Sequence, residues 1–189
     1  MSQATTATEI VAGTWAIDPV HSDVSFTVRH LMSKVRGSFT EFSGEITTTD
    51  NPLESTVSVT IASASITTNN EQRDAHLRNS DFFEVEKYPK LRFRSTKIEK
   101  VDDESFQLFG DLTLKGVTNP VKLDVEFNGV TKDPWGGERA GFFITGKIKR
   151  SDFGISFNAA LETGGVVLGE EVKLNSEIQL VKQEVAVAP

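Results

Sequence analysis

The sequence contains no cysteine, and this absence excludes several kinds of chemistry. Disulfide bonds, thiolate metal sites and a cysteine nucleophile all require this residue. The chain of 189 residues does not need such cross-links, because a protein of this length buries about 70% of its unfolded surface on folding. We therefore expect a single domain that is stabilised by an ordinary hydrophobic core.

Long apolar runs and an excess of basic residues are also missing. No segment approaches the roughly 20 apolar residues that a membrane-spanning helix needs. The formal net charge of −7 argues against general nucleic-acid binding, because that affinity comes from neutralising phosphates. Residues 1–12 have neither the basic nor the apolar region of a secretory signal. We therefore expect a soluble, cytoplasmic protein with no transmembrane segment and no nucleic-acid partner.

Tyrosine and tryptophan are scarce, whereas phenylalanine is abundant. The chain has 13 Phe but one Tyr and two Trp. Platforms for sugars or bases usually use tyrosine or tryptophan, which combine a ring face with a polar tip. Phenylalanine adds apolar bulk alone, and barrels are known with both filled and hollow interiors. The composition leaves open a core packed with phenylalanine and a cavity lined for lipid.

Most of the chain alternates between apolar and polar residues, which is typical of half-buried strands. About eight such strands follow one another at hairpin spacings, with no repeated βαβ unit. Eight antiparallel strands can close into a barrel and so remove their edges. We predict an all-β domain over residues 13–182, with a disordered arm at 1–12 and a frayed tail at 183–189. Four glycines on the apolar face either widen the lumen or mark bulges: Gly37, Gly44, Gly110 and Gly146.

The longest interruption of this alternation lies between residues 67 and 90. Asn69 or Asn70 can cap a helix, and Glu71 suits the positive end of its dipole. We predict a short helix inserted around residues 69–80, and a weaker one over residues 157–165. Residues 116–120, with the sequence GVTNP, are expected to form a turn.

Four segments, taken together, resemble the YceI-like family of lipocalin-like proteins. They are WAIDPVHSDVSFTVRHLMSKVRGSF, RDAHLRNSDFFEVEKYPKLRFRS, FGDLTLKGVTNPVKL and KRSDFG, in that order along the chain. The resemblance implies an elongated eight-stranded antiparallel barrel with a long apolar channel. It also implies a polyisoprenoid or other long-chain amphiphile as the ligand, no other cofactor, and frequently a homodimer.

Five polar residues are expected near the ligand's head group. His30 continues the apolar face of its strand and is therefore expected to point inward, where its ring can bind a head-group oxygen or a neighbouring backbone group. Arg73, Asp74 and His76 crowd one helical turn and either hold a polar head or fix the helix to the barrel. Arg150 also points inward and needs an anion, which Asp152 or Asp74 can supply.

The channel wall is expected to consist of apolar side chains from the inner faces of the strands and from the segment after the helix. These residues are Phe26, Val28, Phe39, Phe42, Val59, Ile61, Phe82, Phe93, Leu108, Leu112, Phe142, Ile144, Leu174 and Ile178. The spacing of His21, His30 and His76 does not match a short zinc motif, so we predict no metal site.

Three functional hypotheses follow from these residues. The first is a protein that binds, stores or carries a polyisoprenoid lipid of the quinone or prenyl phosphate type. The second is an enzyme acting on such a lipid, with His30, Asp74 and Arg73 as acid–base and electrostatic groups. The third is a filled barrel that serves as a stress-associated interaction module. The resemblance favours the first, so we predict no enzymatic activity.

Overall fold

The computed structural model describes residues 10–159, 161 and 165–184. Within these residues the chain forms eleven strands and one α-helix, α1 (Glu71–Arg78). Residues 1–9 of the predicted arm (1–12) and residues 185–189 of the predicted tail (183–189) lie outside the described part. The strands are β1 (Gly13–Ile17), β2 (Asp23–His30), β3 (Ser33–Phe39), β4 (Phe42–Thr48), β5 (Thr56–Ala62), β6 (Ile66–Thr67), β7 (Lys90–Lys100), β8 (Ser105–Leu114), β9 (Val117–Lys132), β10 (Glu138–Lys149) and β11 (Leu168–Lys182).

These strands form the closed eight-stranded antiparallel barrel that the sequence predicts. Strand β11 pairs with β1 near its end and with β2 along the rest of its length, so β1 and β2 together form one strand of the wall. Strands β3 and β4, and likewise β5 and β6, combine in the same way. Strands β7 to β11 then follow as a meander, and the pairing of β11 with β1 closes the ring. The predicted all-β fold with one short helix is confirmed.

The two ends of the barrel differ. The end that we call the helix end carries α1, the β2–β3 turn, the β8–β9 turn and the connection from β10 to β11. The opposite end, called the far end, carries the β4–β5 connection, the β7–β8 turn and the loop between β9 and β10. None of the described helices is long and apolar enough to cross a membrane.

Helix α1 begins where the sequence places it. The Asn70 side chain accepts a hydrogen bond from the backbone N–H of Arg73 at 3.0 Å, which caps the first turn. After the helix, the Phe83 N–H donates to the Leu77 carbonyl at 3.0 Å, and both side chains pack on a core cluster with Phe39 and Phe153. The helix is therefore fixed to the barrel by the aromatic segment that follows it.

Two local predictions were wrong. The turn expected at residues 116–120 consists of Lys115 and Gly116, both at positive φ (49° and 74°), and β9 already begins at Val117. Such a two-residue hairpin turn matches the twist of the strands, so the pairing continues through residues 117–120.

The second wrong prediction is the weak helix over residues 157–165. Residues 157–159, 161 and 165 are not helical, and the other four residues of this segment lie outside the described part of the chain. A short 3-10 helix precedes it at Arg150–Phe153.

The glycines of the inner face make room for neighbouring side chains. A Cβ atom at Gly37 would overlap the ring of Phe26, its partner on β2, and one at Gly110 would overlap the ring of Phe93. At Gly44 and Gly146 the overlapping side chains are Ile17 and Leu123. These glycines therefore do not widen the lumen, because each one is covered by a large neighbour.

Candidate functional site

The barrel encloses a long cavity of about 480 Å³, within the roughly 300–1,000 Å³ typical of ligand pockets. Its wall extends from Thr48 and Pro52 at the far end to Arg73 and Arg150 at the helix end. Between these ends most of the lining is aliphatic or phenylalanine. The barrel is therefore hollow over most of its length, with a surface suited to an apolar chain.

The expected channel residues can be compared with this wall. All of them except Phe42 line the cavity. Phe42 instead packs against the core cluster around Trp15. The alternation of apolar residues locates the inner face well, whereas contact of these residues with a ligand stays a prediction.

All ionisable side chains of the described cavity wall are basic. They are His30, Arg73, His76 and Arg150, and no Asp or Glu is found among the described lining residues. His30 ends β2, Arg73 and His76 belong to α1, and Arg150 follows β10, so all four lie at the helix end. This end of the cavity is therefore positively polarised in a chain whose formal net charge is −7.

Arg73 and Asp74 are connected through Thr68. Arg73 donates from Nε to Thr68 Oγ1 at 2.7 Å and from Nη2 to the Thr68 carbonyl at 2.9 Å. The Asp74 carboxylate accepts from the Thr68 N–H at 2.8 Å and from its hydroxyl. Burial alone would raise the pKa of Asp74, but these hydrogen bonds outweigh it and lower the pKa.

This network separates the roles of its two charged residues. Asp74 is buried and does not line the cavity, whereas Arg73 does. Within the described residues, Nη1 of Arg73 has no hydrogen-bond partner and Arg73 has no carboxylate partner. Asp74 therefore orients Arg73 through Thr68 and leaves part of the guanidinium available to a ligand.

The two histidines of the cavity have different surroundings. The His76 ring bonds Asp81 through Nε2 at 2.8 Å and packs edge-on against Phe82 and Phe157, each with its centroid 5.0 Å away. His30 has no side-chain hydrogen bond within the described residues, so the backbone alternative is not found there. His76 is therefore fixed, whereas the imidazole of His30 keeps both nitrogens available.

Arg150 is inward-facing, as the sequence predicts, but neither expected anion is its partner. The residue is 4% exposed, and it donates to the carbonyls of Gly169, Ile155 and Phe157 at 2.8–2.9 Å. Its nearest carboxylate is that of Glu170, 3.5 Å away, rather than that of Asp152 or Asp74. Burial lowers the pKa of Arg150. Arg150 therefore ties the β10–β11 connection to the barrel wall.

Several residues of this end were not identified from the sequence. Thr68 carries the Arg73–Asp74 network, and Phe157 and Asn158 line the cavity from the β10–β11 connection. Asn158 bonds both the N–H and the carbonyl of Leu168, at 3.0 and 2.7 Å. A polar residue before a helix and a phenylalanine in a loop carry no sequence signal of such contacts.

The described part of the chain contains no cluster of His, Cys, Asp or Glu side chains that could hold a metal ion. His21 is not near His30 or His76 in the cavity wall; its Nδ1 bonds Asp18 at 2.7 Å, and Asp18 also pairs with Arg139. The cavity thus offers an apolar tube and, at one end, donors for an electron-rich group such as a phosphate, carboxylate or carbonyl oxygen.

A closed eight-stranded barrel around an apolar cavity defines a lipocalin-like binding protein fold. The model of the YceI-like domain matches residues 15–180, and this chain belongs to that family. A UPF0312 protein of Staphylococcus epidermidis is 45% identical over 165 residues, which cover 86% of this chain and 94% of the relative.

Solved structures share the fold. The YCEI protein of Campylobacter jejuni has a TM-score of 0.72 at 39% identity, over 88% of this chain and 96% of that one. A domain from Saccharophagus degradans, described as polyisoprenoid binding, has a TM-score of 0.67 at 16% identity, over 89% of this chain and 98% of that one. At that identity the likeness concerns the fold alone.

Proposed function

We propose that this protein binds a polyisoprenoid or another long-chain amphiphile of the quinone or prenyl phosphate type, and stores or carries it. The observation that carries the proposal is the apolar cavity of about 480 Å³, which extends between both ends of the barrel. Membership of the YceI-like family supports it. The polyisoprenoid-binding description of one structural neighbour agrees with this ligand class.

The physical driving force is sufficient. Burial contributes roughly 0.8 kcal/mol for each CH₂ group, so four prenyl units represent about 16 kcal/mol before costs. Ordering the flexible chain and losing its free motion consume about half of that or more. Micromolar or tighter binding remains after these costs.

We further propose that the ligand's head group lies at the helix end. Arg73 Nη1 and the imidazole of His30 are donors with no protein partner within the described residues, and both residues line the cavity. His76 borders the same region. Arg150 and Asp74 contribute indirectly, because Arg150 holds the connection that carries Phe157 and Asp74 orients Arg73 through Thr68.

The arrangement favours binding over turnover. An enzyme that used His30, Arg73 and Asp74 would need all three at the reacting atoms, whereas the Asp74 carboxylate is bonded to Thr68 behind the wall. The enzymatic alternative predicts turnover of a prenyl phosphate or ester that is lost in His30→Ala. The homodimer that the family resemblance implies and the cytoplasmic location that the sequence predicts both stay predictions.

A titration with ubiquinone-2, a quinone with two prenyl units, tests the proposal. Isothermal titration calorimetry suits this test, because it detects binding wherever the quinone ring lies in the cavity. We expect saturable heats of binding with a dissociation constant in the micromolar range. Heats equal to those of diluting the quinone into buffer would contradict the proposal.

A further inference from the structure

The turn between β2 and β3 exposes two large apolar side chains. Met32 is 99% exposed and Leu31 is 45% exposed. Leu31 also has a φ of 53°, a conformation that glycine or asparagine adopts at lower cost in hairpin turns. Neither the turn geometry nor the hydrophobic effect within the chain accounts for leucine and methionine here. The choice of residues therefore indicates a function outside the fold.

This turn adjoins the cavity. The Leu31 N–H donates to the Val167 carbonyl at 2.8 Å, and His30 pairs with Leu168 across the sheet. His30, Val167 and Leu168 all line the cavity. Val166 and Phe157, which are 54% and 39% exposed, extend the apolar surface. We call Leu31, Met32, Phe157 and Val166 the apolar rim of the helix end.

The strands beside the turn are basic. Residues 24–40 contain Arg29, Lys34 and Arg36 but no Asp or Glu. Arg29 and Lys34 are exposed cross-strand neighbours, and neither has a carboxylate partner within the described residues, whereas Arg36 pairs with Asp23 at 3.3 Å.

Nearby acidic groups on β11 already have cationic partners. The carboxylate of Glu170 lies 3.5 Å from Arg150, and that of Glu171 lies 3.9 Å from Lys147. Arg29 donates from Nε to the Leu31 carbonyl at 3.2 Å, which leaves its two Nη groups free of a carboxylate in the described part of the chain. The apolar rim is thus bordered by two cations on β2 and β3 that can bind an outside anion.

The far end also exposes apolar side chains, but its β7–β8 turn is acidic. Trp135 and Val101 are exposed there. Val101 is followed by three acidic residues at positions 102–104, of which Asp103 pairs with Lys100 at 3.1 Å. An anionic surface would therefore attract the turn between β2 and β3 more than it attracts the β7–β8 turn.

We propose that the apolar rim docks the helix end onto an anionic phospholipid bilayer. Leu31 and Met32 enter the headgroup region, and Arg29 and Lys34 lie against lipid phosphates. The ligand then passes between bilayer and cavity without crossing water. A second copy of the chain fits the rim less well, because a two-fold contact between turns would bring like charges together. The docking role rests on the proposed function, since it assigns a lipid source to the same cavity.

Vesicle flotation tests this docking. The full chain is mixed with vesicles of phosphatidylcholine containing one third phosphatidylglycerol, and with vesicles of phosphatidylcholine alone. We expect binding to the anionic vesicles that falls with added salt. Leu31→Ser with Met32→Ser should weaken it by about tenfold for each side chain withdrawn, because one such side chain is worth roughly that factor on leaving water. Val101→Ser, at the far end, is the matched control and should bind normally.

A charge variant separates the two contributions. Lys34→Glu should weaken binding to anionic vesicles by roughly an order of magnitude, since each cation near such a surface contributes several-fold. Lys122→Glu, on the exposed wall of β9, makes the same charge change away from the rim and should have a much smaller effect.

The outcomes distinguish this proposal from the proposed function. Saturable binding of ubiquinone-2 without vesicle binding would overturn the docking and leave the binding function intact. Vesicle binding that depends on the rim, without quinone binding, would support docking and refute the cavity function. A rim variant that changes the oligomeric state on gel filtration, but not vesicle binding, would assign the rim to a second copy and overturn the docking.

Discussion

Ser176 gives a direct way to obstruct the cavity. It is a small residue of β11, it pairs with Ile144 on β10 and Val24 on β2, and it lines the cavity between the two ends. We consider Ser176→Phe, which places a ring in the path of a ligand chain. Ser58→Phe, on an exposed position of β5, makes the same substitution on the outer face and is the matched control.

The size of the effect follows from the length of chain that is displaced. A ring at this position excludes at least one prenyl unit, whose five carbons represent about 4 kcal/mol of burial. Some ordering cost is recovered when less chain is bound. We therefore expect the Kd for ubiquinone-2 to rise by about two to three powers of ten, with no change in Ser58→Phe.

The same variant distinguishes a hollow barrel from a filled one. In a hollow barrel the new ring occupies free volume and buries apolar surface, so the Tm of the ligand-free protein should stay the same or rise. In a filled barrel the ring would overpack the core and cost about 1–3 kcal/mol, which lowers the Tm by several degrees at this size. Unchanged quinone affinity, or a clearly lowered Tm, would refute the account of the cavity. Isothermal titration calorimetry with ubiquinone-2 and scanning calorimetry of the ligand-free protein provide the two readouts.

Three further predictions concern stability. Arg150→Met should lower the free energy of unfolding by about 3 kcal/mol or more, because three backbone carbonyls lose their donor; denaturant titration measures this, and a loss below 1 kcal/mol would contradict it. Arg139 lowers the pKa of Asp18 from 3.8 to about 2, so the carboxylate stabilises the fold above about pH 4, and we expect roughly 2 kcal/mol to be lost between about pH 4 and pH 2. Asp18→Asn should remove this acid dependence, and an unchanged acid profile would argue against it. Gly37→Ala should cost about 1–3 kcal/mol because the new methyl group overlaps the Phe26 ring, whereas Gly141→Ala, whose nearest atom is 3.6 Å away, should cost less; equal unfolding midpoints would contradict this.

The barrel and its helix are well predicted by local patterns. Alternation identifies the inner face from Phe26 to Ile178, and the phase slip near Glu41 is where β3 passes into β4. Asn70 is recognisable as a helix cap because capping depends on the residues of a single turn. Local patterns do not decide whether the strands close into a barrel or form an open sheet. The prediction of a closed, elongated barrel came from the resemblance to the YceI-like family.

The contacts of the site depend on residues that are distant in the sequence, and these were harder to predict. The inward direction of Arg150 follows from strand alternation, but its acceptors are carbonyls of a connection whose path no periodicity describes. Asp74 and Arg73 are both bonded to Thr68, which precedes the helix and has no motif of its own. The covering of Gly37 by Phe26 depends on strand register, which is set across the sheet.

The central claim is that the barrel holds a long-chain lipid, and native mass spectrometry of freshly purified protein tests it most directly. The account predicts a stoichiometric adduct that is lost on denaturation and is recovered in an organic extract as a long-chain amphiphile. Its head group should carry an oxygen acceptor for Arg73 and His30. A mass equal to that of the bare chain, unchanged after incubation with quinones and prenyl phosphates, would contradict the claim.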